Sequence, residues 1–242
     1  MENLPLYINV SFILTTFLTV YFFYKAANYA NIVLYILLAW LALQAAVGLT
    51  GFYTITNTFP PRIALLILPP LFFIVVLFIT EKGRAFIDSL NTKTLTLLHI
   101  VRIPVEFILF GLFIHKAIPQ LMTFDGRNFD IISGITAPFI YYFGFVKNKL
   151  PQKVLLAWNF ICLALLMNIV VNALLSAPSP IQQFAFDQPN IAILYFPFVW
   201  LPGCVVPLVL LSHLATIRQL LMNQAKKIEK KNIYATSVRL HH

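Results

Sequence analysis

Residues 26–61 run for 36 positions without one Asp, Glu, Lys or Arg. A soluble domain cannot bury every face of so long an apolar run, so the solvent for this part of the chain must be lipid. The rest of the sequence agrees. Charged residues make up 10% of the 242 positions, against about 25% in a soluble globular domain. Aromatics reach 15%. These figures exclude an ordinary soluble enzyme and point to an all-α integral membrane protein.

Crossing a hydrocarbon core of ~30 Å at ~1.5 Å per residue takes about 20 residues. Seven windows approach that length: 6–24, 31–53, 61–80, 95–118, 129–145, 154–176 and 191–216. They predict a seven-helix transmembrane domain over 1–216, without an internal repeat. A basic tail follows over 217–242, expected as an amphipathic helix and then a disordered end. Glu2 and the lack of a basic residue before Pro5 do not fit a cleaved secretory signal, so the first window is read as a retained helix.

The fourth window is the one that charge disputes, because Arg102 and Glu106 lie inside it and each costs about 2.5–3.5 kcal/mol at a helix centre. The loop charges decide for a span. With seven crossings and the N-terminus outside, 13 basic residues fall on the inner side and only Arg62, Lys116 and Arg127 on the outer. Without the fourth crossing the division becomes seven inside and ten outside. The positive-inside bias therefore predicts N-out and C-in topology, in the plasma (inner) membrane. The net charge of +9 is accounted for by this placement, so nucleic acid is not an expected partner. The expected partners are the bilayer itself, anionic lipid at the lysine-rich tail and a small-molecule ligand.

Within the bilayer, helical geometry puts His99, Arg102 and Glu106 in an arc of about 60° on one face. Arg102 would sit ~10 Å and Glu106 ~16 Å above the inner end of the window. Glu106 is expected to lean toward Arg102, with a further partner on another helix. Pro104 between them withholds a backbone N–H from the Ile100 carbonyl and favours a kink. Ionisable side chains at such depth usually face a bundle interior or a cavity, which makes this stripe the leading site for binding a substrate or coupling an ion.

Other candidates surround it. Asp130 or Asn128 is expected to cap the fifth helix, while Arg127 beside that helix start would draw anions to the outer mouth. Asn168 and Asn172 share a face of the sixth window at i and i+4, with Asn159 pointing elsewhere, and suit interhelical hydrogen bonds. The seventh window carries Pro197, Pro202, Gly203 and Pro207, the pattern of a broken helix. Its His213 lies at a depth comparable to His99. No metal site and no cofactor are expected; haem or metal held between His99 and His213 is disfavoured because no spacing motif accompanies the pair. Cys162 and Cys204 sit in apolar runs and read as small core residues.

These residues exclude several seven-helix chemistries. No lysine lies between Lys153 and Lys226, so a retinal Schiff base in the last helix is impossible. Helices one, two, three and six contain no His, Asp or Glu for an intramembrane zinc hydrolase. No phosphate-binding glycine loop or serine nucleophile motif is present. The leading expectation is a small-molecule or ion carrier working through the stripe on the fourth helix. A membrane sensor or assembly scaffold is the alternative. An intramembrane enzyme on a lipid-like substrate, with Glu106 or Asp130 as acid or base, stands third.

Overall fold

The computed structural model describes residues 4–240, with side chains through residue 225. The described residues are helical and turn structure, with no strand. In chain order the α-helices are α1 (Leu6–Ala26), α2 (Asn31–Leu49), α3 (Ala64–Ile79), α4 (Glu81–Ser89), α5 (Thr92–Leu98), α6 (Arg102–Ile114), α7 (Ile131–Ile140), α8 (Gln152–Ser176) and α9 (Val206–Leu240). By length and apolarity, five described helices could cross a membrane: Leu6–Ala26, Asn31–Leu49, Thr92–Ile114, Gln152–Ser176 and Leu201–Ala225. A sixth is added if α3 and α4, bent by 95°, count as one span. Ile131–Val146 is apolar but shorter. Large apolar side chains such as Leu14, Ile32, Phe72 and Ile161 point away from the core, as lipid-facing residues do.

Local chemistry explains where the helices start, bend and stop. Thr15, Thr16 and Thr19 in α1 return their hydroxyls to the carbonyls of Ser11, Phe12 and Thr15, which removes three unpaired polar groups from an apolar setting. Thr80 ends α3 by donating to the Val76 carbonyl and starts α4 by accepting from the Gly83 N–H. Gly83 is required at that corner, because a Cβ there would stand 2.4 Å from the Leu77 carbonyl oxygen. Asn91 accepts from the Thr94 N–H and caps α5.

The fourth window forms one continuous span, Thr92–Ile114, whose middle turn, His99–Val101, tightens to 3-10 geometry. Pro104, just beyond, cannot bond the Ile100 carbonyl, and the tightening sits at that break. The span ends four residues before the expected 118, where His115 caps it and Lys116 adopts φ +59°.

The seventh window departs most from expectation. Residues 191–200 make a 3-10 turn, Ala192–Leu194, and further turns rather than a regular helix. Pro197 and Pro202 each withhold a donor from the helical ladder here. A π-helical turn, Leu201–Val205, then leads into α9. Pro207 frees the carbonyl of Gly203, and the Trp40 indole N–H of α2 takes it at 2.7 Å. Trp200 reciprocates, donating to the Leu41 carbonyl at 3.0 Å. This pair of bonds ties α2 to the break. Downstream, α9 continues through residue 216 without interruption to Leu240. The expected basic, membrane-surface face of residues 226–242 lies outside the described side chains.

Much of α9 before residue 221 is buried, and it packs against α3, α4, α5 and α8. Its inner end is fixed by polar contacts: Arg218 makes a two-pronged ion pair with Asp88 of α4, and Gln219 donates to the Ile87 and Leu90 carbonyls. The helix is thus held in register against the span that carries the ionisable stripe.

Candidate functional site

Ten residues along the Thr92–Ile114 span, ~15 Å from its start, Arg102 enters the protein interior with 3% of its surface exposed. A guanidinium has only donors, so everything around it must accept or be anionic. Its Nη1 lies 3.0 Å from Asp130 Oδ1, an ion pair not aligned as a hydrogen bond, and donates to the Cys162 carbonyl at 3.4 Å. Its Nη2 lies 3.2 Å from His213 Nε2. That nitrogen must therefore carry a lone pair. His213 Nδ1 lies 2.9 Å from Asn159 Oδ1 and supplies the N–H of the bond. Both ring nitrogens are accounted for by a neutral imidazole, its tautomer assigned by the two neighbours.

His99 stacks on His213 with ring centroids 3.8 Å apart and planes 14° from parallel. Trp158 lies beside the stacked pair, 5.6 Å from His99 and 5.9 Å from His213. Rings stacked face to face direct their nitrogens out through the ring edges, so no metal or haem iron between the faces meets a lone pair. Among the described residues, no group of three His, Cys, Asp or Glu is placed to hold a metal ion.

Glu106, one turn along, is 2% exposed and is not paired with Arg102. This corrects the expected lean of one toward the other. A cation preceding an anion at i and i+4 is the weaker orientation, and the loop before α7 offers Glu106 a better partner. Asn128 Nδ2 donates to Glu106 Oε1 at 2.5 Å and to the Met122 carbonyl at 3.1 Å. Asn128 Oδ1 accepts from the Asp130 N–H at 3.0 Å, an Asx turn that aims Asp130 inward.

The expectation that Asp130 or Asn128 caps the fifth helix is also corrected. Asp130 precedes α7 but makes no side-chain cap bond. Its backbone is already helical, at φ −67° and ψ −22°, rather than in the extended geometry that folds a capping side chain back. The carboxylate turns to Arg102 instead. Close approach makes this possible, since Gly134 presses on Ile103 and Arg102 and a Cβ there would lie 2.8 Å from Ile103 Cγ1.

The structure thus gathers His99, Arg102, Glu106, Asp130 and His213 from three parts of the chain. It leaves Arg127, Asn168 and Asn172 outside this group. Arg127 is exposed, and its backbone carbonyl accepts from Asn168 Nδ2 at 2.9 Å. Asn172 donates to the Asn168 carbonyl at 3.0 Å. Sequence reasoning missed the roles of Asn128, Trp158 and Asn159. Asn159 does lie on a different face from Asn168 and Asn172, and that face is the one turned to the site.

Among the described residues, several buried polar atoms here have no partner: both nitrogens of His99, Arg102 Nε, Glu106 Oε2 and Ser133 Oγ. Buried polar groups are normally paired, so such a concentration marks a place of function or strain. A pocket of about 160 Å³ adjoins it between α3, α6, α8 and α9. Glu106 and Asp130 are its charged lining residues, and Leu71, Val105, Leu166 and Val170 are among its apolar walls. A larger groove of about 460 Å³, between α2, α3 and α9, has no charged lining residue.

Residues 60–221 match a protein family described as a domain of unknown function (DUF8737). The chain belongs to this family. The matched stretch begins just before α3 and reaches into α9, so it contains every residue of the buried cluster. Neither a curated protein nor a solved structure matches the chain.

Proposed function

We propose that the chain is a seven-span bundle of the plasma (inner) membrane, N-terminus outside and C-terminus in the cytoplasm, that binds and carries a small molecule or ion at the midplane site on its fourth span. The seven apolar segments and the 13-to-3 division of basic residues support the topology. One observation carries the functional reading: Glu106 Oε2 is buried, lacks a partner among the described residues and belongs to a side chain that lines an apolar pocket together with Asp130. An apolar pocket with a few convergent polar groups is the usual form of a small-molecule site. Depth and the broken helix beside it fit a carrier, whose sites commonly lie at mid-membrane beside interrupted helices.

Native mass spectrometry of the detergent-purified chain tests this reading. The expected result is a small molecule retained by the wild type and lost in Glu106→Gln. Retention of the same molecule by the variant, or its absence from both, contradicts the proposal.

A further inference from the structure

The charges of the cluster do not balance. Arg102 supplies one positive charge, while Glu106 and Asp130 supply two carboxylates. The other titratable groups facing them are His213, neutral because Nε2 accepts from Arg102 while Nδ1 donates to Asn159, His99, whose two buried nitrogens meet no acceptor that would hold an imidazolium, and the Cys162 thiol of α8. The residues of α3 that line the pocket, Ile67 and Leu71, are apolar. Asp130 contacts Arg102 directly, so the surplus charge falls on Glu106. A lone carboxylate at this depth must either hold a proton or face a cation.

The walls narrow the identity of that cation. An inorganic ion needs several oxygen ligands to replace its water, and this pocket offers two carboxylates amid aliphatic side chains. An organic ammonium has at most three N–H donors to place, which the two carboxylates of the wall can accept, and its alkyl body suits the aliphatic remainder. Helix placement points to a lateral entrance. α3 packs on α4 and α9, and α8 packs on α7 and α9, so α3 and α8 flank α9 with the pocket between them. Met167 on α8, a lining residue, is exposed on the lipid-facing side.

Resting on the site proposed above, we infer that its substrate class is a small monovalent organic cation with an apolar body. It enters sideways from the lipid between α3 and α8 and binds in exchange for one proton of the Glu106 carboxyl. Charge is conserved: the O–H bond of Glu106 breaks, the proton leaves to water, and the ammonium takes its place beside the carboxylate.

Hexylammonium, hexanol and hexanoate share one alkyl body and carry charges of +1, 0 and −1, which makes them a matched set of probes. Calorimetric titration of the full chain in lipid nanodiscs, with protein-free nanodiscs subtracted, is run in two buffers of different protonation enthalpy. Hexylammonium is expected to bind at least about tenfold tighter than hexanol and to release one proton. Glu106→Gln is expected to abolish both the preference and the release. Ala173→Phe, which fills the pocket, should remove binding of every probe.

Equal binding of hexanol and hexylammonium would overturn the cation assignment, and a cation preference without proton release would overturn the exchange. Either result leaves the pocket reading intact if Ala173→Phe blocks binding. Binding unaffected by Ala173→Phe, or no binding of any probe, overturns the pocket reading as well.

Discussion

Arg102→Ala is expected to destabilise the protein by about 3–5 kcal/mol, the cost of removing one partner from a buried ion pair. It leaves the buried Asp130 carboxylate without its cation, and it also strips the donor from His213 Nε2 and the Cys162 carbonyl. At roughly 2–4 °C per kcal/mol for a chain of this size, the melting midpoint of the detergent-purified protein should fall by roughly 10 °C. The carboxylate variants behave differently. Glu106→Gln replaces a carboxyl that holds a proton with a neutral amide and keeps an oxygen for Asn128, so its cost is expected to stay within about 1 kcal/mol. Asp130→Asn leaves Arg102 with Glu106 as the remaining counter-charge and should fall between the two. Thermal melting that ranks Glu106→Gln as the most damaging of the three would show that Glu106, rather than Asp130, is the true counterion of Arg102.

The second large effect is expected at Gly126, outside the buried charge cluster. A Cβ at this position would lie 2.2 Å from the Gln120 carbonyl oxygen, 2.7 Å from its carbonyl carbon and 2.8 Å from Leu121 Cα. All three are backbone atoms and cannot swing aside, so Gly126→Ala must open the loop that delivers Asn128 and Asp130. About 3 kcal/mol is expected, at the upper end for overpacking. Ligand retention should be lost with it, because the Asx turn at Asn128 positions both carboxylates. Gly111→Ala is the matched control. There the new methyl would meet the terminal Cδ1 of Ile8 at 3.2 Å, a flexible group that can yield. Melting curves that lower both variants equally would show that the Gly126 loop is looser than its packing implies.

The apolar segments and the ionisable stripe were legible in the sequence because both are periodic features. Window length locates a span, and the 100° step alone places His99, Arg102 and Glu106 on one face. The partners were not legible. Arg102 meets Asp130, Cys162 and His213, which are 28, 60 and 111 positions away, and no local pattern encodes which helix will stand opposite. Asp130 was read as a cap because residue type and position suggested one, whereas its helical backbone angles and the closeness allowed by Gly134 turn it inward. The seventh window shows the same limit. Its hydropathy extends back to residue 191, but Pro197 and Pro202 defer the helix to Leu201, a backbone effect that an apolarity count does not register.

The most direct measurement is an experimental density map of the full chain in a lipid nanodisc, read at the pocket between α3, α6, α8 and α9. The account predicts density not belonging to the protein, with its polar end at Glu106 Oε2 and its body along Leu71 and Val170. Glu106 turned into direct contact with Arg102, with Leu109 and Leu210 closing the pocket behind it, would contradict the account: the charged stripe would then be a structural ion pair.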